Sequence, residues 1–403
     1  MIRSFLFVCL LVFSVTSFSS ISPRTYNALN DLQASLAEAA TPKEFQEIKN
    51  DLLELKQSLS GNALGLALTL QILAQLQDVQ GDAEAAINSL KTAFAIKGLD
   101  SNTKGQLGIS LAYMYFSQGQ YNNSILVLND HLNSSKKDVS ANVLALLAMS
   151  YFSIEDFQQG LPLIEKACKI AKTPNESWLA NAFAASYKLG DLEKAMLYTD
   201  QLVYNFPDKA DYWNQKVGLH QSAEQYKQAA IIGNLSYRQG YLTKEAQLYN
   251  LGILMASSGA PYEVAVTLDQ ALSEKVLNRS EKVARLLMQA WLQAKEIDKA
   301  IIELKLLYSE YNKPKDGVLL VNYLMEAERW TEALDISASL AVLPTSEEYT
   351  VKQKGAALLM MGVSYYRNGQ VDKALIALGK ASGIKDSSSQ AKSWMSYIKQ
   401  MEG

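Results

Sequence analysis

Apolar positions in this chain recur at helical spacing, in short segments that come in pairs. The clearest pair is Ala356–Ala381, AALLMMGVSYYRNGQVDKALIALGKA. Leu358, Met361, Gly362 and Tyr365 share one face of its first segment, and Ala374, Leu378 and Ala381 share one face of its second. Residues three and four apart lie above one another on a helix, so each set forms a stripe that must be buried. Between the stripes, Asn368-Gly369 supplies the left-handed residue that a helix C-terminus takes. Gly362, Ala374 and Ala381 stand where two antiparallel helices approach too closely for a larger side chain. The stretch predicts a helix–turn–helix unit and sets the register for the chain upstream.

In that register the small residue opening the second helix recurs as Ala86, Ser124, Gly160, Ala195, Ala229, Val264, Ala300, Ala333 and Ala374, at intervals of 33 to 41 residues. Three residues earlier come the large Tyr121, Phe157, Leu192, Tyr226, Ile297, Trp330 and Val371, which close the hairpin. Gly81, Gly119, Gly190, Gly259 and Gly369 fall in the turns. Val264, the one large member, follows Gly259-Ala260-Pro261-Tyr262, where proline opens a helix at little cost. The order large–large–Gly–Tyr, then Ala–large–Ala, at a period near 34 residues, resembles the tetratricopeptide repeat. The expected fold is all-α, a right-handed α-solenoid of about nine tetratricopeptide-like hairpins over residues 61–386.

Each end predicts a cap, because the terminal apolar faces of such an array would otherwise meet water. Residues 21–60 read as a helical hairpin whose second helix starts at Thr41-Pro42. Residues 387–403 read as one helix, with Trp394, Tyr397 and Ile398 inward and Lys392 and Lys399 outward. Pro207 fits a repeat terminator and Trp213 the opening of the next repeat. The longest interval, between Ala333 and Ala374, contains Leu343-Pro344-Thr345 and is the expected place for a bend.

Residues 1–20, MIRSFLFVCLLVFSVTSFSS, carry one Arg, an apolar run from Phe5 to Val15 and then small residues. That is the pattern of a secretory signal peptide cleaved near Ser17–Ser20, and the run is short for a membrane span. Bulky Val8 before Cys9 argues against a lipoprotein signal, and the length argues against a retained anchor. Cleavage would leave a net charge of −4, no stable membrane span and Cys168 as the lone cysteine. Beside Ala167, Cys168 reads as a buried structural thiol. The formal charge of −3 lacks the basic face that nucleic-acid binding needs. Two histidines and two cysteines leave little for a metal or haem site, and no cofactor is expected. No GxxxxGK[ST], GxSxG or HExxH motif is present.

Stacked first helices line the inner surface of a tetratricopeptide array. The register turns inward Tyr113, Phe116, Phe152, Tyr187, Asn214, Tyr249, Lys282, Arg285 and Gln289, with Asn322 and Tyr366 further on. They suit a groove for an extended protein segment; the alternative is that the aromatics pack against the neighbouring repeat. Among these positions the cations are Lys282 and Arg285, one helical turn apart, which an ordinary solvated pair also explains. His220 falls at the position of Tyr365 and reads as a packed helix histidine. Five Asn-x-Ser sequons, at Asn122, Asn133, Asn175, Asn234 and Asn278, read as incidental, since Asn234 falls inside an expected helix.

One segment goes beyond generic repeats. Asp211-Tyr212-Trp213, then Ser236-Tyr237-Arg238-Gln239-Gly240-Tyr241-Leu242-Thr243-Lys244-Glu245, then Gly259-Ala260-Pro261-Tyr262, resemble the periplasmic tetratricopeptide proteins associated with TonB energy-transduction systems. Ala391-Lys392-Ser393-Trp394 and Tyr397-Ile398 resemble that family's C-terminal end. The resemblance covers roughly Tyr204–Leu272 plus the tail. It implies a periplasmic scaffold serving TonB, ExbB and ExbD of Gram-negative bacteria in uptake of ferric siderophores or haem, with no enzymatic activity. The alternative is an envelope adaptor in outer-membrane or cell-wall assembly. A hydrolase is the third reading, and it lacks any nucleophile–base or paired-carboxylate motif.

Overall fold

The computed structural model describes residues 21–134, 139–173 and 175–402. The expected signal segment lies outside these. Among the described residues, 21 α-helices follow one another without a strand. The chain divides into two compact units, one ending at Pro207 and the other starting at Asp208.

The first unit opens with α1 (Pro23–Glu38) and α2 (Pro42–Ser58). Two hairpins follow, α3 (Ala63–Val79) with α4 (Ala83–Phe94) and α5 (Ser101–Ser117) with α6 (Tyr121–Ser134). Two more complete it, α7 (Ala141–Ser153) with α8 (Phe157–Ile170) and α9 (Glu176–Lys188) with α10 (Leu192–Asn205). The second unit holds α11 (Ala210–Ser222) with α12 (Tyr226–Arg238), α13 (Glu245–Ser257) with α14 (Pro261–Ser273), and α15 (Glu281–Gln293) with α16 (Ile297–Tyr311). It continues with α17 (Pro314–Glu326) and α18 (Trp330–Val342), then α19 (Val351–Arg367) and α20 (Val371–Ser382), and closes with α21 (Lys385–Glu402).

All nine hairpins between α3 and α20 turn in the same way. The residue five before the small one has a left-handed backbone, and the next amide donates to a carbonyl five residues back, as in Asp82 N to Gln77 O at 2.8 Å and Gln370 N to Tyr365 O at 2.9 Å. That pairing satisfies helix-end carbonyls which would otherwise lack partners. Glycine holds the position at 81, 119, 190, 259 and 369, as the sequence predicts. The other four turns force a larger residue into it: Glu155, Glu224, Lys295 and Glu328, at φ of 57° to 63°. Asp82, Asp156 and Asp191 then cap the second helix by accepting a backbone amide at 3.0–3.1 Å.

The nine phased residues are each the fourth of a second helix, and each is buried. Close approach explains their size. A Cβ on Gly160 would stand 2.4 Å from the Phe152 ring, and one on Gly362 would stand 2.6 Å from Leu378 Cγ. Within each unit a second helix packs on its own first helix and on the first helix of the next hairpin. First helices also touch one another, α5 with α7, α7 with α9, α13 with α15 and α17 with α19, so they line the inner side of each unit.

Thr41 and Glu44 form a reciprocal capping box at the start of α2, with Pro42 in the first turn. At the other end Ala391 and Ile398 of α21 are fully buried with Leu378 and Ala381, while Lys392 and Lys399 are exposed. The long interval before Ala374 is a loop pinned from inside. Tyr349 is fully buried there and its hydroxyl donates to Leu340 O at 3.0 Å, while α18 and α19 stay packed side by side. No described helix is long and apolar enough to cross a membrane.

Candidate partner-binding faces

In the first unit the inward aromatics divide into two kinds. Phe116 and Phe152 lie eight residues before the small residue, in the last turn of their helix. There they meet the first residue of the second helix: Phe116 edge-on to Tyr121 at 5.4 Å, Phe152 stacked on Phe157 at 5.9 Å. Phe152 also covers Gly160. Both rings close their own hairpin. Tyr113 and Tyr187 keep exposed faces, and Tyr187, 49% exposed, leans on Phe183 of the same helix at 6.2 Å.

In the second unit Tyr249 on α13 and Lys282 on α15 come together, the ammonium 4.7 Å from the ring centroid. Tyr249 is half-buried against the core of α13, α14 and α15, whereas Lys282 and Gln289 are exposed. Asn214 is half-buried and Asn322 exposed. Tyr366 packs on the C-terminal helix, 6.3 Å from the Trp394 ring and 6.1 Å from that of Tyr397.

Arg285 is not available as a groove cation. Its guanidinium forks onto Asp316 of α17, Nη1 to Oδ1 at 2.9 Å and Nη2 to Oδ2 at 2.6 Å, and its Nε donates to Glu281 at 2.8 Å. Asp316 is 3% exposed. The Asp316 hydrogen bonds push the Arg285 pKa further above its ordinary value. Hydrogen bonds from Lys313 and Arg285 hold the Glu281 carboxyl below its usual range. This network joins two neighbouring hairpins, so Arg285 ties α15 to α17 rather than forming a solvated pair with Lys282. The signal was faint, because Asp316 lies 31 residues away in another repeat.

Cys168 is a half-buried free thiol rather than a fully buried one. Burial first, and then the nearby Glu165 charge, push its pKa up, the reverse of a reactive cysteine. His220 Nδ1 lies 2.7 Å from Gln225 Oε1 and reinforces its turn, while the His131 ring packs over Gly105. No group of three or more His, Cys, Asp or Glu able to hold a metal occurs among the described residues.

Two features were not singled out from the sequence. One is a cleft of about 300 Å³ between α17, α19 and α21. The other is a repeated exposed aliphatic two residues after the small residue: Leu126 and Leu197 in the first unit, and Ile231, Val266, Ile302 and Ile376 in the second. Reading the outward position of the same register would have found these side chains.

No family model matches the chain, and no curated protein does. Solved structures are similar to it. A tetratricopeptide repeat protein from Parabacteroides merdae is 13% identical over 74% of this chain and 99% of its own, with a TM-score of 0.39. YrrB, a tetratricopeptide protein described as having an unusual peptide-binding site, is 13% identical over 45% of this chain and 90% of its own, with a TM-score of 0.39. PilF of Pseudomonas aeruginosa is 15% identical over 54% of this chain and 93% of its own, with a TM-score of 0.40. Likenesses this distant carry no argument about what the chain binds.

Proposed function

We propose that this chain is a protein-interaction scaffold whose second unit engages an extended partner segment across the inner faces of α13 and α15. The observation that carries this is the Tyr249–Lys282 pair, an aromatic platform beneath a solvent-facing cation. An aromatic offers large contact area at low entropic cost, and the exposed Lys282 ammonium beside it and the exposed Gln289 amide further along α15 supply polar contacts. In its finer form the scaffold works in the periplasm, after removal of residues 1–20, as an accessory of a TonB–ExbB–ExbD system. The motifs from Asp211 to Tyr262 and the Ala391–Ile398 tail support that assignment by resemblance.

The test is capture from Gram-negative envelope extracts with the tagged mature chain. Wild type should retain TonB, ExbB or ExbD, and Lys282→Ala combined with Gln289→Ala should weaken capture at least about tenfold, near 1.4 kcal/mol. Both side chains are exposed, so the melting temperature should stay put. Capture of cell-wall or outer-membrane assembly proteins without TonB components would replace the uptake role with the adaptor role. Undiminished capture by the double variant would move the site off this face.

A further inference from the structure

The cleft between α17, α19 and α21 sits in the same layer of first helices as the Tyr249–Lys282 pair, but its chemistry differs. Leu359 and Val363 occupy the register positions, fifteen and eleven residues before the small residue, that carry Arg285 and Gln289 on α15. Where α15 carries a guanidinium tied to Asp316 and an exposed amide, α19 carries two aliphatics. With Met360, and Met325 from α17, they make an apolar floor containing two thioethers. Thioether side chains are unbranched and adapt to irregular guests.

The wall is Trp394 of α21, and it is held in place. Tyr397 meets its ring edge-on at 5.7 Å and Tyr366 lies 6.3 Å from it. A preformed wall lowers the ordering cost of binding. Gln390 and Ser393, one helical turn of α21, supply amide and hydroxyl groups at the rim.

None of the lining side chains is ionisable. A charged guest would give up its hydration with no opposite charge to meet. The volume of about 300 Å³ is at the lower bound of small-molecule sites, room for one large side chain rather than a cofactor.

We propose that this cleft is a side-chain pocket, taking one large uncharged apolar residue of an extended partner segment while Gln390 and Ser393 bond the segment's backbone. This rests on the scaffold reading and adds to it a second anchoring point of defined chemistry. The partner segment would carry a leucine-, methionine- or phenylalanine-sized residue, with no charge at that position.

The test uses the mature chain labelled with 5-fluorotryptophan, the Trp394 resonance being assigned by its loss in Trp394→Phe. Titration with N-acetyl-phenylalaninamide and N-acetyl-leucinamide should shift that resonance saturably. N-acetyl-glycinamide and N-acetyl-aspartamide should act at least about tenfold more weakly, which is about 1.4 kcal/mol. Leu359→Phe fills the floor and Ser393→Leu covers the rim, and each should weaken the response at least tenfold. Ser393 is exposed, so the second variant reports on the cleft even if the first disturbs packing. A Trp394 resonance that never moves, that moves equally for the glycine or aspartate compound, or that is indifferent to both variants overturns the proposal. A Ser393→Leu variant that loses the response yet captures partner normally removes the partner segment from the cleft. Absence of any capture by wild type would sink the scaffold reading instead, a result on which the capped amides do not depend.

Discussion

Replacing Arg285 by alanine should destabilise the second unit by about 3 kcal/mol. The change deletes a forked pair of charge-assisted hydrogen bonds to Asp316, at 2.9 and 2.6 Å, and leaves that carboxylate in a site where its side chain is 4% exposed. Stripping one partner from a buried ion pair typically costs about 3–5 kcal/mol, because the remaining charge is uncompensated. The Arg285 side chain is 25% exposed, so water already screens one side of the pair and the lower end applies. For a unit of this size about 1 kcal/mol corresponds to about 2–4 °C, so the melting temperature should fall by about 6–12 °C.

The assay is thermal and urea unfolding, followed by helical ellipticity, of wild type, Arg285→Ala, Asp316→Ala and the double variant. The cycle should return a coupling of about 2 kcal/mol or more, well above the additivity error of independent sites. Arg285→Met combined with Asp316→Leu should recover most of the loss, since apolar replacement removes both desolvation penalties. A melting temperature within about 2 °C of wild type, accompanied by lost partner capture, would refute the reasoning and return Arg285 to the binding face.

Glu224→Gly, at φ 58°, should raise stability by about 0.5–1 kcal/mol by relieving the left-handed penalty of a larger residue, while Glu224→Ala should not; thermal melts decide it. Gly160→Ala should cost about 1–3 kcal/mol, because its Cβ would meet both the Phe152 ring at 2.4 Å and Ala148 O at 3.0 Å; an unchanged urea midpoint would contradict the packing. Hydrogen bonds from Arg329, then Lys305, lower the Glu332 carboxyl to about 2 from 4.5. The stability from this pair is therefore complete above pH 4.5 and is lost as pH falls towards 2. Glu332 is 39% exposed, so Glu332→Gln should cost less than about 1 kcal/mol at pH 7 and only a small remnant of that at pH 2, where the carboxyl is half protonated, by urea unfolding at each pH.

The hairpins were legible because a close helix crossing leaves its mark in a single residue type, as at Ala86, Ala195 and Ala374. Turn chemistry was half legible. Gly81 and Gly369 announce a left-handed turn, but Glu155, Glu224, Lys295 and Glu328 adopt it only because packing of the two helices closes the hairpin there. The inner face was harder. Helical spacing gives the angle of Phe116 and Phe152 around their helix, and both are in fact turned towards the partner helix at the hairpin's closed end. Spacing carries no information on how far along the helix that crossing lies. The Arg285–Asp316 pair was illegible for a related reason, since a residue's partner in the next hairpin depends on how the two hairpins stack.

That stacking gives the second unit a consistent division of labour. Arg285 to Asp316 ties α15 to α17, Lys305 to Glu332 ties α16 to α18, and Arg279, just before α15, reaches Glu303 on α16. Cohesion in a repeat array is a sum of such nearest-neighbour terms. On α15 itself, Arg285 is committed to the next hairpin while Lys282, three residues away, lies over the ring of Tyr249 in the previous one. Loosening α15 from α17 therefore leaves the Tyr249–Lys282 contact in place, and removing the Lys282 ammonium leaves the Arg285 fork in place. Stability and recognition on this helix should be separable by single substitutions one turn apart. That separation is what allows loss of partner capture to be assigned to a face rather than to unfolding.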